Sequence, residues 1–284
     1  MRSKASVWSD LPRRITTLVV GLPLLYKILS HPTAAWFSCC GVHMACCVEW
    51  IQLEQRTCPS WLQGLFFCLA SLLLSLIDDP QGFHFGLLVF CAIFLVFFQQ
   101  YHWSLGLLLV TIPFRACLQI SQDFEASLAF LLIVWMCDTG ALVVGRLAKL
   151  LLSPSQRLSV PVWIIQISPS KSMEGFLGGL VGGIGSACHL VPWLGSMYGW
   201  TETKSPTFDH LWVESSLSTR FQFGLALSVL AILGDLMESS IKRRYQTKDS
   251  GNLLPGHGGF LDRFDSCLVS ALFYHYLLLQ QQHP

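Results

Sequence analysis

Long apolar runs alternate with short polar interruptions along almost the whole chain. A helix needs about 20 apolar residues to cross the hydrocarbon core of a bilayer, and several runs reach that length only with tilt or flanking residues. The pattern therefore predicts an all-α fold, a polytopic integral membrane helical bundle of about nine transmembrane helices. The nine runs cover residues 15–29, 34–52, 60–78, 83–99, 103–121, 125–152, 172–198, 221–241 and 265–281.

The composition supports this class. Of 284 residues, 52% are hydrophobic and only 12% are charged, and the mean hydropathy is +0.53, which excludes an ordinary soluble domain. A net charge of +1 without a basic tail gives no reason to expect a nucleic-acid partner. Most of the eleven cysteines lie inside apolar runs, where we interpret them as small buried hydrophobic residues.

Basic residues precede the first apolar run. Arg2, Lys4, Arg13 and Arg14 are expected to hold that end in the cytoplasm or an equivalent compartment, because loops rich in lysine and arginine stay on that side. We therefore expect a multi-pass integral membrane protein with the lipid bilayer as a partner. A bacterial inner membrane and an organellar or endoplasmic reticulum membrane both stay open as its location.

One stretch, residues 234–265, gathers many of the charges in the chain. Its first half predicts a helix on which Asp235, Glu238, Ser239 and Lys242 share one face, at i, i+3, i+4 and i+7. Its second half is rich in glycine, which breaks regular structure and lets the backbone approach a ligand closely. A second helix with further carboxylates in its first turn follows. The stretch thus predicts two acid-bearing helix ends that face each other across a glycine loop.

Carboxylates beside lysine and arginine suit a site for a phosphate compound and a metal ion. Mg²⁺ prefers carboxylate, water and phosphate oxygens, and cationic side chains neutralise the remaining phosphate charge. The alternative is a cytoplasmic anchor, since lysine and arginine clusters at membrane helix ends commonly have only that role. Asp235 follows an apolar run, and an acid inside a membrane is costly and usually functional, which favours a site.

Asp138 is a second acid inside an apolar run. An ionised carboxylate at such depth costs about 2.5–3.5 kcal/mol or more, so we expect it to face the bundle interior or a wet cavity. Pairing with Arg146 is the alternative, although their spacing corresponds to about two helical turns and is awkward for direct contact.

Residues 167–175 predict the start of another helix. Pro169 stops any preceding helix, and Ser172 and Glu174 can cap and charge the next one. The glycine-rich run at 175–185 then predicts close packing against a neighbouring helix in the membrane.

The charged stretch resembles a known signature. Its fixed positions read Ser239-x-Ile241-Lys242-Arg243, four residues, Lys248-Asp249-x-Gly251, then Leu254-Pro255-x-His257-Gly258-Gly259-Phe260-x-Asp262-Arg263-Phe264-Asp265. This resembles the signature of the CDP-diacylglycerol synthases (phosphatidate cytidylyltransferases), with no departure over its 27 residues.

Upstream residues extend the resemblance, which covers residues 130–284 well. Ser170 and Met173 depart from the family pattern, which usually has a lysine and a tryptophan there. The matching upstream positions are Asp138-Thr139-Gly140-Ala141, Gly145-Arg146, Lys171, Glu174 and Gly175.

The resemblance implies that CTP and phosphatidate react to give CDP-diacylglycerol and diphosphate, in phospholipid biosynthesis. The attacking phosphate oxygen is already ionised at neutral pH, so alignment and charge neutralisation can supply catalysis. Mg²⁺ is the expected cofactor, with room for a second, monovalent cation, and a homodimer is also implied. Two alternatives stay open: another CTP-dependent membrane lipid enzyme, such as a dolichol or phytol kinase, and a transporter that uses intramembrane carboxylates.

We assign residue roles as hypotheses within that family. Expected catalytic residues are Asp235, Asp262, Lys242, Arg243 and His257. Expected substrate-binding residues are Ser239, Lys248, Arg263, Asp138, Lys171 and Glu174. Expected metal ligands are Asp235 and Asp262, with Asp265 and Asp249 as secondary ligands or as side chains that orient them. We interpret residues 1–125 as scaffold transmembrane helices without chemistry of their own, and residues 126–284 as the catalytic transmembrane domain.

Overall fold

The computed structural model describes residues 21, 23–55, 61–77, 79–96, 101–198, 208–251, 253 and 258–282. These residues contain helices and no strand. From residue 32 onward the longer helices are, in chain order, α1 Pro32–Gln55, α2 Trp61–Ser75, α3 Pro80–Val96, α4 Tyr101–Ile120, α5 Phe124–Leu151, α6 Val162–Ile167, α7 Met173–Met197, α8 Leu217–Arg244 and α9 Leu261–Gln282. Two short helical segments lie between them, at Pro154–Gln156 and Asp209–Val213. Helices α4 and α7 each contain a π-helical turn, at Leu107–Thr111 and Ser186–Leu190.

The prediction of an all-α membrane fold is confirmed. Within the described ranges, five helices are long and apolar enough to cross a bilayer, namely α1, α4, α5, α7 and α8. Two shorter apolar segments, Leu62–Ser75 and Gln81–Leu95, lie in α2 and α3. The expected count of about nine spanning helices is not confirmed. Of the first predicted run, at 15–29, residues 15–20 and 22 lie outside the described residues.

The chain divides into two compact units whose segments alternate along the sequence. The first unit comprises Met1–Ala35 and Ser121–Ser228, and the second comprises Trp36–Ile120 and Val229–Pro284. Helices α5, α6 and α7 belong to the first unit, and α2, α3, α4 and α9 belong to the second. The signature residues therefore share a unit with N-terminal helices. The division into a scaffold region and a catalytic region at residue 125 stays a prediction.

In the first unit, α5 and α7 pack with their backbones in direct contact. A Cβ atom at Gly178 or Gly182 would lie closer than 3.0 Å to the carbonyl oxygen of Gly140 or Met136, respectively. Small residues four positions apart are a common means by which membrane helices approach this closely. The close packing predicted from the glycine-rich run is confirmed.

Two helices of the first unit begin at capping side chains. Asp123 Oδ1 accepts the backbone N–H of Ala126 at 3.0 Å at the start of α5. Ser172 Oγ accepts the backbone N–H of Gly175 at 3.2 Å at the start of α7. Each cap satisfies an N–H group that has no partner inside its own helix. The predicted capping role of Ser172 is confirmed.

The second unit is built around large aromatic side chains. Trp50, Phe67, Phe94, Trp103 and Phe114 come from α1 to α4, and each is at most 2% exposed. The ring centroids of Phe67 and Trp103 lie 5.4 Å apart, within the range of favourable aromatic pairs. Residues of α9 join the same apolar cluster. The start of α9, which carries the end of the signature, is therefore held against the N-terminal helices.

Gly182→Ala is expected to destabilise the protein, because the added methyl group meets the carbonyl oxygen of Met136 and α5 and α7 must separate. A loss of about 1–3 kcal/mol in the free energy of unfolding is typical of such overpacking. Gly185→Ala is the matched control, since a Cβ there has no heavy atom within 4 Å and alanine favours helix over glycine. Thermal denaturation in detergent measures both variants. Equal melting temperatures would contradict the backbone contact.

Candidate active site

Helix α8 ends where its charges are concentrated. Lys242, Arg243 and Arg244 lie in its last turn, where the helix dipole favours positive charge. Beyond them, the N–H of Thr247 donates to the carbonyl of Lys242 at 2.9 Å, and that of Gln246 donates to the carbonyl of Arg243 at 3.0 Å. These are the bonds of a Schellman motif, with Gln246 at a φ of 55° where glycine is usual. The chain therefore turns sharply at the end of α8.

One face of α8 carries interacting polar groups, as the spacing predicts. Ser239 Oγ donates to Asp235 Oδ1 at 3.4 Å, and Lys242 forms an ion pair with Glu238. The side chains of Glu238 and Lys242 are only 8% and 12% exposed. Charges interact more strongly at such burial than in water, so this ion pair helps to fix the Lys242 side chain at the end of α8.

Lys242 also connects α8 to the start of α9. Its Nζ donates to Asp262 Oδ1 at 2.6 Å, so one ammonium group lies between carboxylates of two helices, those of Glu238 and Asp262. Asp262 further accepts the backbone N–H groups of Ser250 at 3.0 Å and Gly259 at 2.8 Å. We call this arrangement of Glu238, Lys242 and Asp262 the ammonium bridge.

The bridge keeps Asp262 charged. Burial by itself would raise the pKa of Asp262, but the hydrogen bonds from Lys242, Gly259 and Ser250 outweigh burial and lower that pKa below its usual value. A carboxyl group with a lowered pKa is ionised at neutral pH. The start of α9 therefore presents a fixed negative charge to Lys242.

Gly234 brings α8 against α9 beside Asp235. A Cβ atom at Gly234 would lie closer than 3.0 Å to the carbonyl oxygen of Asp265, so the two backbones touch there. Asp265 Oδ1 accepts the N–H of Ser266 at 2.7 Å. The two acid-bearing helices therefore converge, as the sequence predicts.

The loop before α9 brings a further carboxylate to Asp262. Gly258 has a φ of +83°, a left-handed conformation that glycine adopts readily. A Cβ atom at Gly258 would lie 3.1 Å from Asp262 Oδ2 and 3.8 Å from Asp249 Oδ1. The carboxylates of Asp249 and Asp262 thus approach the same point. His257, an expected catalytic residue, lies outside the described residues.

Three expected cationic residues are exposed. They are Arg243, Lys248 and Arg263, and Arg243 Nη1 also donates to the carbonyl of Thr247 at 3.0 Å. Exposed positive charge attracts anionic solutes before contact. The second unit therefore combines one buried lysine with several exposed cations.

Three expected substrate-binding residues lie in the first unit. Asp138 is exposed on α5, so it is not in the buried interior of that unit. Glu174 Oε1 accepts the N–H of Leu158 at 2.7 Å and so holds the preceding loop at the start of α7. Lys171 Nζ lies 5.9 Å from the ring centroid of Phe176, within cation–π range. Their roles in substrate binding stay predictions.

Two acids of the second unit were not predicted from the sequence to have a role. Glu49 of α1 is fully buried, and its carboxylate accepts hydrogen bonds from Ser250, Phe260 and Leu261. In the sequence, Glu49 is recognisable only as an acid near the end of an apolar run. An acid at the membrane interface without any role in the site has the same pattern. Glu238 was placed on the correct helix face but received no role.

The acids of the second unit have the chemistry that a divalent cation needs. Carboxylate oxygens are preferred ligands of Mg²⁺. The buried Oε1 of Glu238 has no hydrogen-bond partner among the described residues. Its Oε2 forms the ion pair with Lys242, outside hydrogen-bond geometry. Asp262, in contrast, uses both oxygens for Lys242 and backbone N–H groups. Across the described ranges, no group of three or more His, Cys, Asp or Glu side chains is arranged to hold a metal ion. Binding of Mg²⁺ by Asp235 and Asp262 stays a prediction.

Comparison with known sequences relates this site to a family. The sequence pattern of the cytidylyltransferase family matches residues 12–280, which is nearly all of the chain. The chain belongs to the cytidylyltransferase family. The matched region includes α1 with Glu49 as well as the signature, so the N-terminal helices of this cytidylyltransferase-family chain are part of the family region.

Curated relatives agree with this family. The chain is 36% identical over 162 residues to a phosphatidate cytidylyltransferase of Staphylococcus aureus (strain COL), a match that covers 56% of this chain and 51% of that protein. Proteins of the same name from Staphylococcus epidermidis and Staphylococcus saprophyticus are each 36% identical, over 160 and 162 residues, with the same shares covered. The chain spans about half the length of the curated relatives it matches.

Lys242→Met is expected to destabilise the protein by about 3–5 kcal/mol, because it leaves the buried carboxylates of Glu238 and Asp262 without the cation between them. Lys248→Met is the matched control, since Lys248 is exposed and exposed charges contribute little to stability. Urea denaturation in detergent measures the free energy of unfolding of each variant. A loss at Lys242 no larger than that at Lys248 would contradict the ammonium bridge.

Proposed function

We propose that the chain is a phosphatidate cytidylyltransferase, which converts CTP and phosphatidate to CDP-diacylglycerol and diphosphate. One observation carries the proposal: signature residues of the family gather on α8 and α9 into a single charged cluster in an otherwise apolar helical chain. The name of the curated relatives supports phosphatidate as the acceptor.

The reaction exchanges one phosphorus–oxygen bond for another. An ionised phosphate oxygen of phosphatidate attacks the α-phosphorus of CTP, and the bond from that phosphorus to the oxygen bridging to the β-phosphate breaks, so that diphosphate leaves. The nucleophile is already an anion, so no general base is needed. The main task is to bring anionic phosphates together and in line, which cations at fixed positions assist.

The cations of the second unit are suited to that task. Lys242 is held between two carboxylates, so its position is set before substrate arrives, and preorganised charge is the most effective kind in catalysis. Exposed Arg243, Lys248 and Arg263 present positive charge to the triphosphate and to the lipid head group, and arginine can bind phosphate oxygens through two N–H groups at once.

Ser239 and His257 keep more limited roles in this proposal. The hydroxyl of Ser239 donates its one proton to Asp235, which orients that carboxylate, and a substrate phosphate is the alternative acceptor of that proton. His257 is assigned to the leaving diphosphate, because it lies in the glycine-rich part of the signature, and Asp138, Lys171 and Glu174 are assigned to the nucleotide.

We propose Mg²⁺ as the cofactor, held by Asp235 and Asp262 with Asp249 and Asp265 beside them. The proposal includes a second, monovalent cation at the same site. The convergence of α8 and α9 at Gly234 and the approach of two carboxylates to Gly258 support it. When bound, the ion supplies Lewis-acid neutralisation of the triphosphate charge.

The membrane setting suits a lipid acceptor. Phosphatidate can keep its acyl chains in the bilayer while its head group meets CTP at the interface. A homodimer, implied by the resemblance, is the proposed assembly.

A lipid-labelling assay on the purified chain tests the function. CTP labelled at its α-phosphate is expected to label phosphatidate-derived lipid when Mg²⁺ is present, and a chelator is expected to abolish that labelling. Dolichol and phytol with CTP labelled at the γ-phosphate test the kinase alternative, because a kinase transfers that group instead. If label is transferred neither to phosphatidate nor to dolichol or phytol, the enzyme proposal is overturned.

Asp235→Asn is expected to lower kcat by roughly 100-fold or more, as loss of a group that stabilises transition-state charge typically does. Asparagine keeps the size of the side chain and an oxygen that Ser239 can donate to, so folding is expected to be retained. Glu214→Gln is the matched control, because the Glu214 side chain is 62% exposed and lies in the first unit. The rate of labelled-lipid formation at saturating CTP is the measurement. Similar rates for the two variants would remove Asp235 from the catalytic residues.

A further inference from the structure

Glu49 lies in residues 1–125, which the sequence indicates to be scaffold helices without chemistry of their own. It is in the last two turns of α1, its side chain is 0% exposed, and no lysine or arginine of the described residues pairs with it. A carboxylate buried in this way is costly unless hydrogen bonds compensate it. The position of its hydrogen-bond donors therefore indicates what the residue is for.

Among the described residues, Glu49 has three hydrogen-bond donors, and all of them lie within the span of the signature. Ser250 Oγ donates to Oε2 at 2.9 Å, the N–H of Phe260 donates to Oε1 at 2.8 Å, and the N–H of Leu261 donates to Oε2 at 2.8 Å. The two backbone N–H groups lie at the start of α9, where the helix itself offers no acceptor. Glu49 thus caps α9 from another helix, with a negative charge where the helix dipole favours one.

Two signature glycines make room for this carboxylate. A Cβ atom at Gly251 would lie 2.7 Å from Glu49 Cγ, and one at Gly259 would lie closer than 3.0 Å to Glu49 Oε2. The glycine content of this loop predicts that its backbone approaches a ligand closely. At Gly251 and Gly259, the group that the backbone approaches is Glu49.

Glu49 and Asp262 hold the same loop ends from two sides. Ser250 donates through its hydroxyl to Glu49 and through its N–H to Asp262. Gly259 donates to Asp262, and the next residue, Phe260, donates to Glu49. Asp262 in turn contacts Lys242. Hydrogen bonds through the two loop ends therefore connect Glu49 to Asp262, which is part of the ammonium bridge.

We propose that Glu49 is a positioning residue for the cytidylyl transfer: by clamping Ser250 and the start of α9, it sets where Asp249 and Asp262 lie relative to Lys242. This role rests on the proposed function, since positioning has meaning only for a reaction at that site. The clamp itself is a property of the structure and is measurable without substrate.

Glu49→Gln on the full chain in detergent tests the proposal. An amide has one acceptor oxygen, and its NH₂ group faces a donor, so at least one of the three donors loses its partner. Hydrogen exchange, measured without substrate, is expected to become about tenfold faster or more at the amides of Phe260 and Leu261, because their local opening becomes easier. The kcat for labelled-lipid formation is expected to fall about tenfold or more while KM for phosphatidate changes less than about threefold, the pattern of a group that acts on the transition state.

Glu125→Gln is the matched control. It makes the same chemical change at a carboxylate that is 4% exposed, but in the first unit, and is expected to leave exchange at Phe260 and Leu261 and kcat at wild-type values. If Glu49→Gln does not fold, Ser250→Ala removes one of the three hydrogen bonds and is expected to lower kcat in the same direction by a smaller factor.

Each readout can overturn the proposal separately. Wild-type exchange at Phe260 and Leu261 in Glu49→Gln would refute the clamp. Faster exchange with an unchanged kcat would show that Glu49 is a helix cap only and would refute the positioning role. A wild-type chain that labels no phosphatidate would refute the proposed function and with it the positioning role, while the exchange measurement would still decide the clamp.

Discussion

The position of the Lys242 ammonium between Glu238 and Asp262 is the constraint on which the candidate site depends. Charges are scarce in this chain, and each of these three groups would be costly to bury alone. Lys242 compensates both carboxylates, so loss of the lysine leaves two buried carboxylates without a cation between them. Because the two carboxylates come from α8 and α9, the same interaction that pairs the charges also fixes one helix end against the other.

The start of α9 is held by acids on both sides. Asp262 accepts N–H groups from the loop that precedes it, and Glu49 accepts the first N–H groups of the helix from α1. A helix start in an apolar setting needs such acceptors, because its first N–H groups have none within the helix. The candidate site therefore uses residues of three helices, α1, α8 and α9, that all lie in the second unit, although its signature lies on only two of these helices.

Glycine has three different physical roles in this structure. Gly182 lets α5 and α7 approach until their backbones touch, Gly258 adopts a left-handed conformation, and Gly259 makes room for a buried carboxylate. Helices in a membrane gain little hydrophobic energy from contact with each other, so close backbone packing is a principal source of their association. Composition alone does not distinguish these roles, since each appears in the sequence as the same small residue.

The sequence by itself determined the helical membrane class, the family, the shared face of α8 and the cap at Ser172. The shared face and the cap follow from spacing within one helix, where residues three and four apart are neighbours whatever surrounds them. The membrane class follows from the length of the apolar runs, and the family follows from the resemblance of the charged stretch to its signature. Only the tertiary structure decided the partner of each buried charge. Glu49 contacts Ser250 across 201 residues and Lys242 contacts Asp262 across 20, and such pairs depend on how separate helices pack. The spacing of residues along the chain does not reveal how separate helices pack. For this reason the sequence did not predict that Glu49, in a segment interpreted as scaffold, accepts hydrogen bonds from the loop ends of the candidate site.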